Sequence, residues 1–133
     1  IAPVYNNLGC IYGDKFGSFY NEKESLKFFQ KAAELGNHFG QYNLAVAYFY
    51  GLGVERNYQE AINLFMELAS NGHVTAQCFL GDCYVVCKDY AEAEKWYKKA
   101  ADTGFKNAIM ALEELQEAMK NNTEFVPYSL REE

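Results

Sequence analysis

Apolar and small residues recur along this chain at helical spacing, and the same pattern is written three times. Leu8, Gly9 and Tyr12 are followed 36 residues later by Leu44, Ala45 and Tyr48, and 36 residues later again by Leu80, Gly81 and Tyr84. Positions i, i+1 and i+4 lie close together on a helix, and the small residue among them lets a second helix approach. That second helix has its own recurring face: Ser25, Phe29 and Ala33, then Ala61, Phe65 and Ala69, then Ala93, Tyr97 and Ala101. Each unit therefore predicts an antiparallel helix pair. The segments KAAELG, ELASNG and KAADTG close the units at Gly36, Gly72 and Gly104, where a left-handed C-terminal cap is wanted. Asn21, Asn57 and Asp89 stand at the N-cap of the second helix.

This periodicity predicts helices over 3–15, 22–35, 39–50, 58–70, 74–87, 90–103 and 106–120. Self-similarity at such a period marks a stacked helical-repeat array, in which no unit buries its apolar face alone. The step from Gly72 to Gly104 is 32 residues, not 36, so the third unit lacks four residues between Tyr84 and Asp89. The expected organisation is one all-α domain over 1–120, with repeats at about 2–37, 38–73 and 74–105. A capping helix follows over 106–120, with Glu113 where the repeats carry a small residue. The tail 121–133 is expected to be loosely ordered unless Phe125 and Tyr128 fold back onto the last helix.

Composition narrows the function classes. Half of the 133 residues are hydrophobic, enough for a real core, and the only prolines, Pro3 and Pro127, leave the interior free to be helical. A net charge of −6 disfavours a nucleic-acid backbone or an anionic membrane as partner. No apolar run reaches the roughly 20 residues that span a bilayer, so membrane insertion is not expected. The chain opens at Ile1, which reads as a processed product or an excised piece. Cys10, Cys78, Cys83 and Cys87 are too few and too irregular for a disulfide framework, and they point to free thiols and a reducing compartment. A periplasmic or secreted location fits only if a signal peptide has been removed.

The repeats resemble Sel1-like repeats, relatives of the tetratricopeptide repeat. The resemblance rests on NLGCIY (7–12), NLAVAY (43–48), YGLGV (50–54) with Asn57, EAINLF (60–65) and LASNG (68–72). The third unit, with its shortened loop, has tetratricopeptide spacing. The resemblance implies a right-handed α-α superhelix, a solenoid of three helix pairs plus the capping helix, acting as an interaction scaffold without a cofactor. Many such proteins are bacterial adaptors, host-interaction factors or immunity proteins. One subgroup carries a disulfide in each unit, but the corresponding positions here are Ala33, Ala69 and Ala101.

In these families the first helices line a concave groove, and the resemblance carries that role to specific positions. Asn7, Tyr42, Asn43, Val46, Phe49, Tyr50, Phe79, Asp82 and Val86 are the candidate partner-binding residues, with Asn6, Cys10, Asp14, Cys78, Val85, Met110 and Glu114 beside them. Asn7 and Asn43 either hold an extended ligand through their amides or bridge neighbouring helices. Phe79 interrupts such a ladder in the third unit. With Tyr48 as the core tyrosine by register, Phe49 and Tyr50 do not both point inward, so at least one is expected at the groove. None of these positions is basic, which disfavours an acidic C-terminus as ligand, and Asp14, Asp82 and Glu114 suit a basic or polar one.

Catalytic signatures are missing: there is no phosphate-binding glycine loop, nucleophile elbow or HExxH. Cys83 and Cys87 share a helical face, but Cys78 lies well round from them and no four-ligand zinc spacing occurs. The expected function is a non-enzymatic module that binds a protein or extended peptide. An immunity or inhibitor protein directed at a toxin or effector enzyme is the alternative. The sequence leaves the oligomeric state open.

Overall fold

The computed structural model describes residues 1–131. The described residues form seven α-helices, a short 3-10 turn and no strand: α1 (Ala2–Gly13), α2 (Glu22–Glu34), α3 (His38–Tyr50), α4 (Tyr58–Ser70), α5 (Val74–Val86), α6 (Tyr90–Ala101), α7 (Lys106–Asn121) and the turn Tyr128–Leu130. All seven helices begin and end within two residues of the positions that the apolar period predicts. The chain divides within α4 into two compact units, residues 1–64 and the residues from 65 onward.

The repeat positions acquire the same local hydrogen bonds each time they recur. Asn21, Asn57 and Asp89 cap the second helices, accepting on their side-chain oxygens from the N–H groups of Glu24, Glu60 and Glu92 at 3.2, 3.0 and 3.3 Å. Each satisfies an N–H that has no partner within its helix. The N–H of the same capping residue donates back to the repeat tyrosine: Asn21 to the Tyr12 carbonyl, Asn57 to Tyr48 and Asp89 to Tyr84, at 2.7 to 2.9 Å. The third loop thus closes with the same bond over four fewer residues, and Lys88 makes the turn in the left-handed region at φ 62°. Gly36, Gly72 and Gly104 have φ of 81°, 91° and 87°, and each donates to the carbonyl three residues back. After the first two, Asn37 and His73 donate to the Ala32 and Leu68 carbonyls, completing the Schellman pattern.

Packing within a pair turns on one contact. In the first unit α1 presents Gly9, buried, to the ring of Phe29 on α2, and a Cβ built on Gly9 would lie 2.5 Å from two ring carbons. Ser25 reinforces the approach by donating its hydroxyl to the Gly9 carbonyl at 2.7 Å. The second compact unit, in the third helix pair, repeats the arrangement with Gly81 on α5 and Tyr97 on α6, again at 2.5 Å. Around Tyr97 the second unit's core gathers Val85, Ala93, Ala111, Leu115 and Ala118.

Beyond α7 the structure differs from the expected loose tail. Asn122 turns the chain at φ 55°, and the Thr123 N–H donates to the Ala118 carbonyl at 2.9 Å. Phe125 then enters the core, 8% exposed, with its ring edge-on to Tyr97 at 6.3 Å. The condition for an ordered tail was that Phe125 and Tyr128 fold back onto the last helix, and both do, Phe125 into the core and Tyr128 by donating its hydroxyl to Glu114 on α7.

Gly9→Ala sets two effects against each other. Alanine gains about 1 kcal/mol of helix propensity over glycine, whereas overpacking a filled core typically costs about 1–3 kcal/mol. In the native chain Gly9→Ala is expected to lower the urea midpoint. In a Phe29→Leu background, where the ring is gone, the same substitution is expected to raise it.

Candidate functional site

The first helices of each unit carry the candidate residues. On α1 and α3 the side-chain amide of Asn43 donates to the Asn6 oxygen at 3.0 Å. Asn43 thus bridges two helices, and its partner is Asn6; Asn7, one residue and about 100° further round α1, is exposed. Val46 and Asn43 join Cys10, Asp14, Leu26 and Leu52 around a cavity of about 440 Å³. Tyr42 and Tyr50 are both half-buried.

Phe49 departs from the expected groove position. It is 0% exposed and contacts Tyr50 and Tyr58 edge-on at 4.9 and 5.5 Å. Phe49 lies one helical turn beyond Ala45, which is also 0% exposed, so these two share the buried stripe. Tyr48, taken by register as the core residue, is only half-buried. Phe49 is accordingly a core side chain, not a groove contact.

The second unit builds a more elaborate site. Phe79 on α5 stacks parallel on Phe65, ring centroids 5.0 Å apart. One helical turn from Cys78, Asp82 is 7% exposed, and its carboxylate accepts two hydroxyl bonds, from Tyr97 and, at 2.7 Å, from Ser129. Burial pushes the Asp82 carboxyl up to about 6, against the opposing pull of the two bonds. Burial, with the nearby Asp82 charge, pushes the Cys78 thiol up to about 12, and burial raises Cys83 too. All four cysteines are free, and these two are held as thiols, unsuited to nucleophilic work. Val86 lies half-buried at the end of α5.

Across the groove, the Glu114 carboxylate on α7 accepts from the Tyr128 hydroxyl and, at 2.8 Å, from the Arg131 guanidinium. Those bonds hold the Glu114 carboxyl below the usual carboxylate range. Next to Asp82 the groove continues as a cavity of about 380 Å³ bounded by Thr75, Cys78, Phe79, Phe105, Asn107 and Met110. Among the described residues, no three His, Cys, Asp or Glu side chains are grouped to hold a metal ion, and no helix is long and apolar enough to cross a membrane.

Ser129 and Arg131 were not among the candidates. The available signal was PYSLR after Phe125, a hydroxyl and a cation behind an apolar anchor. Only folding gives it meaning, because Ser129 meets Asp82 across 47 residues of chain.

Tandem antiparallel helix pairs with small-residue first helices, aromatic second helices and glycine-capped ends define a helical-repeat protein of the tetratricopeptide-like class. The chain belongs to the Sel1 repeat family, whose repeat matches residues 2–37, 38–73 and 74–105. It is similar to a solved protective antigen of uropathogenic Escherichia coli, c5321, with a TM-score of 0.76 and 30% identity over 86% of this chain and 26% of that one. It is also similar to a Sel1 repeat protein from Oxalobacter formigenes, with a TM-score of 0.75 and 28% identity over 92% of this chain and 51% of that one. A putative sel1-like repeat-containing protein, L21, of Acanthamoeba polyphaga mimivirus is 31% identical over 101 residues, 74% of this chain. The chain spans only 18% of that protein's length. These neighbours support the expected repeat fold, and they come from a virus as well as from bacteria.

The raised Asp82 carboxyl has a pH consequence. A folded-state value of about 6 against 3.8 unperturbed means that proton uptake adds stability present below about pH 4 and lost as the pH rises through 6. The full difference corresponds to at most about 3 kcal/mol. Asp82→Asn is therefore expected to match the native chain near pH 4 and to exceed it in urea stability at pH 7.5, with the gap opening between these values.

Proposed function

We propose that this chain is a non-enzymatic interaction module that holds an extended segment of a partner protein against its first helices. The family supports the general role, since Sel1 repeats are generally protein-protein interaction scaffolds. One observation carries the finer reading: the α5–α7 groove holds residues 123–131 of the chain itself, an irregular segment with a single 3-10 turn. A face that seats one such segment through an apolar slot and two carboxylates has the chemistry to seat another.

The proposed contacts are Phe79, Asp82 and Val86 with Cys78 and Met110 in the second unit. In the first they are Asn7, Tyr42, Asn43, Val46 and Tyr50. The charge of the second site selects against acidic ligands. Asp82 and Glu114 favour hydroxyl and cationic donors, and no lysine or arginine bounds the adjoining cavity.

A photoreactive phenylalanine analogue placed at Met110 on α7, which is 47% exposed, tests this directly. In the native source it is expected to cross-link a distinct partner. The same analogue at Lys95, on the exposed side of α6, is expected not to. Equal labelling from both positions, or none from Met110, would sink the groove assignment.

A further inference from the structure

The segment that follows α7 occupies the groove as a ligand would. Phe125 fills an apolar slot between Val85, Tyr97 and Leu115. At Pro127 the backbone is extended, with φ −56° and ψ 143°, the polyproline conformation common in peptide ligands. Three side chains beyond it then make the polar contacts: Tyr128 and Arg131 with Glu114, and Ser129 with Asp82. Arg131 also lies 3.7 Å from the Tyr128 ring centroid and donates to the Val126 carbonyl at 2.8 Å, so the segment holds its own shape.

Resting on the reading above, we infer that the α5–α7 groove recognises a peptide with an aromatic anchor, a hydroxyl residue four positions on and an arginine two beyond that. We infer too that residues 125–131 are its built-in, displaceable occupant. The contacts at Asp82 and Glu114 are made by side chains, so a different chain carrying the same groups at the same spacing reproduces them. The clasp at the arginine end is exposed, with Arg131 and Glu114 side chains 38% and 43% accessible, and such pairs hold weakly. An incoming segment has something further to gain. The cavity of about 380 Å³ past Ser129, walled by Thr75, Phe105 and Asn107, offers contact that the internal segment does not fully use.

The probe is a fluorescein-labelled peptide of residues 123–131, titrated by anisotropy into the full chain. An internal segment seated about nine-tenths of the time lowers apparent affinity about tenfold, so loosening it restores that factor. Arg131→Glu opposes Glu114 and Ser129→Asp opposes Asp82, two independent ways to release the segment while leaving Phe125 and the helices alone. Both variants, checked for native helicity, are expected to bind the peptide about tenfold more tightly than the native chain, and a scrambled peptide not at all. A Glu114→Arg chain is expected to prefer a peptide with glutamate in place of its arginine. Unchanged binding in both loosened variants, equal binding of the scrambled peptide, or no exchange of preference at Glu114→Arg overturns the inference. Partner cross-links from Met110 without peptide binding would overturn this motif alone. Peptide binding without partner cross-links would uphold the motif and overturn the partner-binding role.

Discussion

The first and third helix pairs each depend on a ring pressed against a residue without a side chain, and the middle pair admits no more than the methyl of Ala45 at the same position. Gly9 under Phe29 and Gly81 under Tyr97 bring the two helices of a pair to a distance that even a methyl group would prevent. Close approach makes one face of the first helix the core, and the opposite face is what remains for a ligand. In the second unit the same ring has a second task. The Tyr97 hydroxyl reaches past the core and donates to Asp82, so the side chain that sets the helix spacing also orients the buried carboxylate of the groove.

The fold was legible because its determinants are local and repeated. Asn21, Asn57 and Asp89 announce the second helices, glycines announce the ends, and even the four-residue deletion keeps the closing bond to the repeat tyrosine. The site was legible only in part. Register along the sequence pointed to α5 through Phe79 and Asp82, and the structure shows Phe79 stacked on Phe65 and Asp82 buried against two hydroxyl groups. At Phe49 it failed, because three adjacent aromatics from Tyr48 to Tyr50 carry no signal as to which enters the core, and the stripe shared with Ala45 decides. For Asn43 the sequence left ligand-holding and helix-bridging open, and the structure has it bridge to Asn6, since a helix turns by about 100° at each residue and Asn6 faces where Asn7 does not.

The residues that complete the second site could not be read from periodicity at all. Ser129 and Arg131 lie outside the repeat, and their partners Asp82 and Glu114 are distant in sequence. What joins them is Phe125, whose burial among Val85, Tyr97 and Leu115 carries the rest of the segment across the groove. A composition of asparagine, proline and charge describes a loose tail only when no apolar residue is present to tether it.

The turn at Asn122 leaves only a few residues between α7 and the anchor at Phe125. A segment held on so short a leash meets its groove at an effective concentration on the order of millimolar. No dilution of the protein lowers that value, and every free ligand must compete against it. In the proposed role this tether sets an affinity threshold: a free ligand that merely resembles the internal segment binds with its affinity discounted by the occupancy of that segment, and one that binds better, or arrives itself tethered nearby, overcomes the discount.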